Sequence, residues 1–368
     1  MNAEKLKFSS YKSMSVVQFR TDQINTFGYI SLSEALKKKY AEIKEVSEAG
    51  SVNNLVFVNK SDEFIFLSDG DILSGAKQNR VLNTSVLAAP RSTVTIPVSC
   101  VEAGRWRYNK TDFTDSEYSA PAYMRSSKAK TVKNNLLLQK SFSANQSEVW
   151  EDVRSYENSM GFFSKTSNLS DVYENRKGDI NDFIKSFKPE PEMNGMAVFI
   201  HNRLLNLEIF NRENIFSEYF SKLLRSAAFE AMNLKDAENK LTEAEALYKT
   251  NDFMDNISNL KFDIHKGVGA GEERRFESKD MTGFELSYDE KMIHFVALNL
   301  KKDENRILTD RNGRKILNFG KFKGRTIREI YRHDPEYIKW LCFESRIDAD
   351  VKKEIYEEML VVMDRNTI

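Results

Sequence analysis

The chain has 368 residues, enough for two domains and a sizeable core, and its 55 basic and 55 acidic side chains cancel. No global field therefore directs it to nucleic acid or membrane, and no apolar run approaches the roughly 18 residues of a membrane span. Two distant cysteines, Cys100 and Cys342, argue against a disulfide scaffold and for a reducing cytoplasm; His201, His265, His294 and His333 show no metal-ligand spacing.

The N-terminal MNAEKLKFSSYKSM has no apolar core of the kind a leader needs. Residues 29–44 (YISLSEALKKKYAEIK) read as a short helix with Ser31 or Ser33 as N-cap. Apolar runs on either side of Lys60-Ser61-Asp62 predict a hairpin. In TVTIPVSCVE, Val94, Ile96, Val98, Cys100 and Glu102 recur at period two, so Glu102 ends an inward apolar row. An inward carboxylate needs a partner, and Arg80 and Arg105 are the nearby candidates.

Residues 107–145 read as a polar loop, Gln146 opens a helix running to about Tyr156, and 164–194 is weakly patterned. Gly195–Ile200 and Leu204–Phe210 predict a strand pair. Asn211 suits the N-cap of the next helix, with Phe210 and Ile215 spaced as a hydrophobic staple. Its stripe runs Phe216, Tyr219, Phe220, Leu223, Leu224, Ala227, Ala228. A second helical stretch covers 235–252, and strands follow the GVGAG segment. Residues 301–314 are charged and poor in apolar side chains, the mark of a linker. Beyond it a strand over KILNFG precedes helices near Thr326, at Asp334-Pro335 and near Asp348. The expected fold is α+β: a strand-rich antiparallel domain with flanking helices over 1–300, then a small strand-and-helices module over 315–368.

Asp69-Gly70, Gly75-Ala-Lys-Gln-Asn-Arg80, Ile96-Pro-Val-Ser-Cys-Val-Glu102 and Gly104-Arg-Trp106 together resemble the family named for its association with ADP-ribosylglycohydrolases and rhodanese-phosphatases. Gln146-x-x-Val-Trp150, Gly267-x-Gly269-x-Gly-Glu272-x-Arg274 and Met292-Ile-His294 follow in the matching order, and the resemblance spans about residues 8–300. It implies an α+β protein linked by genomic association to NAD and ADP-ribose metabolism, and no settled activity. Phe319-Gly-Lys-Phe-Lys-Gly324 and Asp334-Pro335-x-Tyr337-Ile-x-Trp340 are similar to the small C-terminal domain of exodeoxyribonuclease X-like proteins. The spaced acidic ligands of the nuclease domain are not evident, so this likeness transfers a module and no nuclease activity.

Two readings fit the first cluster. In one, Arg80 or Arg105 pairs with a phosphate, Gln78 or Asn79 with a ribose or base, and Trp106 stacks on a ring, with Lys77 beside them. The ligand would be an NAD-derived nucleotide such as ADP-ribose, with Glu102 and Glu272 as candidate catalytic carboxylates and Arg274 facing the same pocket. In the other, Arg80 and Glu102 are a buried pair that fixes a scaffold, and Trp106 is core. The GVGAGEERR segment lacks the Lys-Ser/Thr of a phosphate loop and suits a structural turn. Cys100 reads as inert core, His294 as a satisfied core histidine, and Tyr337 and Trp340 as the core of the small module. No cofactor is specified and no metal site is expected; a metal-dependent hydrolase using Glu102, Glu272 and His294 is a weaker third reading. Residues 311–332 hold eight Lys/Arg against one acid, Glu329, so Lys321, Lys323, Arg325 and Arg328 are candidate phosphate contacts of a nucleic-acid-associated adaptor. The same run would equally serve as a solvated basic face.

Overall fold

The structure is a computed structural model that describes residues 2–47, 51–106, 112–232, 234, 240–300, 307–309, 313–317, 321–322, 324–343 and 349–364. The chain divides into two compact units, Met1–Leu300 and Lys301–Ile368. It is an α+β protein, and no helix among the described residues is long and apolar enough to cross a membrane.

The first unit opens with the strand pair β1 (Ala3–Tyr11) and β2 (Met14–Thr21). Strand β3 (Ile30–Ser31) runs into α1 (Leu32–Lys37), where the Ser31 hydroxyl accepts the Glu34 N–H. The helix read over 29–44 thus stops early. Its second half is strand β4 (Ala41–Glu45), with Ala41 and Ile43 turned inward at period two. Next come β5 (Asn54–Asn59), β6 (Ile65–Leu67), β7 (Asp71–Gly75), β8 (Arg80–Leu82), β9 (Val86–Ala88), β10 (Thr93–Cys100) and β11 (Phe113–Ser119). The expected hairpin about Lys60 does not form: β5 pairs with β4 and β10, whereas β6 pairs with β3 and β9.

Four helices follow: α2 (Ala122–Gln139), α3 (Gln146–Met160), α4 (Leu169–Asn175) and α5 (Lys177–Ile184). The strand pair β12 (Gly195–Ile200) and β13 (Arg203–Phe210) then forms where its apolar runs predict it. Helix α6 (Glu213–Ala231) buries the whole expected stripe from Phe216 to Ala228. Asn211 does not cap it; the Asn211 side chain accepts the Tyr29 hydroxyl at 2.6 Å instead. Helix α7 (Glu243–Asn256) starts at a Thr242–Glu245 capping box, later than its expected start at 235, which lies outside the described residues. Strands β14 (Asp263–Lys266), β15 (Glu272–Glu277), β16 (Met281–Tyr288) and β17 (Lys291–Asn299) complete the unit.

Eight of these strands form one antiparallel sheet in the order β1-β2-β12-β13-β17-β16-β15-β14. One face carries Val17, Phe19, Phe199, Leu207, Ile209, Phe276 and Phe295, closed in part by Ala246 and Met254 of α7. Because alternate residues point to opposite faces, the same strands present Asn206, Glu208, His294, Glu273 and Arg275 to the other side, where α2 and α6 pack. A six-stranded sheet, β11-β7-β8-β10-β5-β4, and the small sheet β3-β6-β9 complete the unit.

In the second unit, β18 (Ile307–Thr309) pairs with β19 (Lys315–Leu317), so part of the expected linker is strand. The helices are α8 (Ile327–His333), α9 (Pro335–Phe343) and α10 (Ala349–Asp364). Leu317, Ile327, Ile330, Ile338, Leu341, Val351 and Ile355 form their common core.

Candidate functional site

Strand β7 ends at Gly75, and a turn through Ala76 to Asn79 delivers three polar side chains before β8 begins at Arg80. Across the ladder Arg80 lies opposite Cys100 of β10, and Glu102 follows two residues later on the same face. The carboxylate of Glu102 takes a fork from Arg105, Nε to Oε1 at 2.8 Å and Nη2 to Oε2 at 2.7 Å. It also accepts the Asn79 N–H at 3.1 Å and the Thr166 hydroxyl at 3.0 Å. Burial pushes the Glu102 carboxyl up, but Arg105, Asn79 and Thr166 outweigh it and hold the group below its ordinary value. Arg105 also donates to the Ala76 carbonyl at 2.6 Å, so this pair ties three loops together.

Arg80 belongs to a second subset. It is 0% exposed, donates to Gln78 Oε1 at 3.0 Å, and has Glu45 at 3.7 Å as its carboxylate. Burial lowers its pKa from the ordinary value. Trp106, 46% exposed, covers it, with the Arg80 guanidinium 5.6 Å and the Lys77 ammonium 5.5 Å from the ring centre. The structure therefore gathers Lys77, Gln78, Asn79, Arg80, Glu102, Arg105 and Trp106 at one end of the six-stranded sheet, and Glu102 pairs with Arg105 rather than Arg80. Trp106 is a lid at the surface and not core. Cys100 is buried, and burial raises its thiol to about 11, which suits packing and not nucleophilic attack.

Glu272 and Arg274 do not join this cluster. Glu272 is exposed; Arg274 pairs with Glu285 at 3.2 Å and stacks 4.6 Å from the Phe262 ring, on the α7 side of the large sheet. Their neighbours Glu273 and Arg275, one register step away, turn inward and are fully buried. The glycine segment before them is a closed turn: Gly267 N–H donates to Gly271 and Ala270 N–H to Leu87.

The inward side of the large sheet holds polar groups that sequence reasoning missed. Arg125 of α2 joins Asp69 (Nε to Oδ2, 2.9 Å) and Glu208 (Nη1 to Oε1, 2.6 Å), all three buried. Gly70, with φ +83°, makes room: a Cβ there would lie 2.7 Å from the Arg125 side chain. Lys128 donates to the Leu82 carbonyl at 2.5 Å with Asp69 at 3.6 Å, and its burial lowers the ammonium to about 8. Burial raises Glu208, but Arg125 and His294 draw it down to about 2. Arg275 reaches Glu273 at 2.5 Å and Thr84 at 2.9 Å, and Thr84 donates to Glu273.

Within this network Ser85 Oγ lies 2.9 Å from His294 Nδ1, and His294 Nε2 lies 3.3 Å from Glu208 Oε2. The three residue types are those of a serine–histidine–carboxylate triad, but the ring nitrogens are exchanged, since in the triad the serine meets Nε2 and the carboxylate Nδ1. Ser85 and His294 are both 0% exposed, however, and the Ser85 hydroxyl already accepts the Asp69 N–H, so no substrate carbonyl reaches it. His294 is the satisfied core histidine its apolar neighbours suggest, stacked 4.4 Å from Phe210. Among the described residues no group of three or more His, Cys, Asp or Glu is placed to hold a metal ion.

In the second unit Trp340 is 47% exposed and lies outside the core, contrary to the sequence reading. It forms a row with Tyr337 (5.6 Å between ring centres) and Phe322 (5.0 Å from Tyr337), and Lys321 stands 4.8 Å from the Phe322 ring centre. Arg325 and Arg332 are exposed. Lys321 pairs with Asp334 at 3.2 Å and Arg328 with Glu358 at 2.5 Å, so part of the basic run is balanced within the unit. Lys323 and Arg311 lie outside the described residues.

The ARG and Rhodanese-Phosphatase-superfamily-associated Protein domain model matches residues 4–298. The exodeoxyribonuclease X-like C-terminal model matches residues 317–345. No curated protein and no solved structure matches the chain.

Proposed function

This chain belongs to the ARG and Rhodanese-Phosphatase-superfamily-associated Protein domain family, and we propose that it is a nucleic-acid-associated binding protein whose C-terminal unit holds single strands. The observation that carries this reading is the exposed Trp340 at the end of the Phe322–Tyr337–Trp340 row. Half an indole left in water on a small domain that also exposes the cations Arg325 and Arg332 offers a base-stacking platform together with phosphate contacts. Lys321 and Arg328 would contribute less, since each has an acidic partner, and Lys323 would extend the same basic run. Fluorescence anisotropy of the full chain with short oligonucleotides tests it. Single strands should bind regardless of sequence and more tightly than duplexes; no binding of either at low salt removes the proposal.

A second reading rests on Trp106. A half-exposed ring over Arg80 and Lys77 supports an NAD-derived nucleotide such as ADP-ribose, whose base would stack on the indole and whose phosphates would meet the two cations. Trp106 would have to swing away, because Arg80 is sealed beneath it. Glu102, held ionised by Arg105, would then orient the ligand, whereas Glu272 and Arg274 lie across the large sheet and would take no part. A thermal-shift panel of NAD, ADP-ribose and related nucleotides separates the readings: a saturable stabilisation that is lost in Trp106→Ala supports the pocket.

A further inference from the structure

A cleft of about 350 Å³ opens in the first unit between β11, α6 and the start of α1. This is at the lower end of small-molecule sites. The residues that line it all carry polar or charged groups, with serine hydroxyls beside Asp115, Glu117, Glu218, Lys222 and Arg225. Small-molecule sites are usually mostly apolar, so this lining selects for charge and hydrogen bonding.

The two cations of the wall are already committed. Lys222 bridges two carboxylates, 2.6 Å from Asp71 Oδ1 and 2.7 Å from Asp115 Oδ1. Behind it Asp71 takes the Ser68 N–H at 2.9 Å and the Tyr219 hydroxyl at 3.3 Å. Arg225 is held by Glu117 at 3.2 Å and Asn181 at 3.0 Å. An anion entering the cleft would meet no uncommitted cation. A cation would meet the second oxygen of Asp115, whose Oδ1 alone takes Lys222, and Glu218 at the exposed rim, for which no hydrogen bond or ion pair is formed among the described residues.

The local field points the same way. Burial lifts the Asp115 carboxyl to about 6; Lys222 draws it down, and Asp71 beside it raises it by less. One lysine shared by two buried carboxylates leaves the floor of the cleft short of positive charge, and a ligand ammonium would supply it.

We propose that this cleft is a binding site for a small cationic ligand, a primary amine or guanidinium compound, held by Asp115 at its floor and Glu218 at its rim. It is independent of the C-terminal unit and of Trp106, so its test stands apart from theirs. The full chain is titrated calorimetrically with putrescine and agmatine, and with inorganic phosphate and glycerol as comparison ligands. At least one amine should bind saturably at millimolar concentration or below, with affinity falling as salt rises. Asp115→Asn should weaken that amine by roughly tenfold or more, and Glu218→Gln, at an exposed position that leaves the fold untouched, by about threefold. The idea is overturned if neither amine binds, if phosphate or glycerol binds more tightly than both, or if Glu218→Gln leaves amine affinity unchanged. Should Asp115→Asn fail to fold, the Glu218→Gln titration decides alone.

Discussion

Arg125 on α2 meets Glu208 on β13 at 2.6 Å, with Asp69 on its other edge and none of the three open to water. The contact spans 83 residues of sequence and ties the helix to the middle of the large sheet. Arg125→Ala would leave Glu208 and Asp69 buried without the guanidinium that joins them. It should destabilise the first unit by about 3–5 kcal/mol in urea melts. Arg125→Lys should recover only part of that, because an ammonium cannot present two donors in a fixed fork.

The same contact explains what the sequence conceals. Helix α2 (AYMRSSKAKTVKNNLLLQ) was expected to be loop, since it has no apolar stripe. Its buried face carries Arg125, Ser126 and Lys128 beside Ala129 and Val132, so the hydrophobic period vanishes where the helix is most buried. Helix α6 and the β12–β13 pair were legible because their buried faces are apolar. Glu102 was legible as a carboxylate in need of an arginine, with Arg80 and Arg105 as the candidates, and the structure selects Arg105. The Arg80–Glu45 pair, 35 residues apart, carries no local pattern, nor does the contact of Thr84 with Glu273 and Arg275. On β15 the charged string EERR left its register open, and the inward pair is Glu273/Arg275 rather than Glu272/Arg274.

The glycine segment yields a prediction about packing alone. A Cβ on Gly269 would fall 2.3 Å from the Leu87 carbonyl oxygen, a backbone atom fixed in the β6–β9 pair. Gly269→Ala should cost about 1–3 kcal/mol as an overpacked contact. Unchanged denaturation midpoints would mean that the turn is not clamped on β9.

Arg80 separates pocket from scaffold. If its task is structural, Arg80→Ala strands the buried Glu45 carboxylate and costs about 3–5 kcal/mol, with no nucleotide effect to lose. If it serves a pocket under Trp106, the variant should keep most of its stability and lose nucleotide-induced stabilisation. Circular dichroism melts with and without ADP-ribose distinguish the two.

Asp115 sets a direction for pH. Its folded pKa, raised by burial to about 6, exceeds the ordinary 3.8, so the folded chain holds this proton over a range where the unfolded chain has released it. Its contribution is therefore present below about pH 4 and lost as pH rises through about 6. The groups acting on it are Asp71, which raises it, and Lys222 and Lys37, which lower it. Denaturant titrations of wild type and Asp115→Asn between those limits should differ in slope, with the variant flatter. Glu273, also raised, titrates in both proteins and cancels in the comparison.

The C-terminal unit invites the sharpest test, because stacking and charge respond to different variables. Each phosphate contact on a single strand adds about 0.7 to the slope of log K against log salt. With Arg325, Arg332 and Lys321 on three phosphates, the slope should be near 2, so affinity should fall about twentyfold between roughly 50 and 200 mM salt. Arg325→Glu should reduce that slope by about one contact and weaken binding most at low salt. Trp340→Ala removes an exposed ring and no charge, so it should cost about 1–3 kcal/mol at every salt concentration and leave the slope unchanged. The core of the unit is formed by Ile327, Ile330, Ile338, Leu341 and Ile355, so neither change should unfold it. A Trp340→Ala protein that binds as tightly as wild type would reduce the contact to charge alone and leave the ring row without a role.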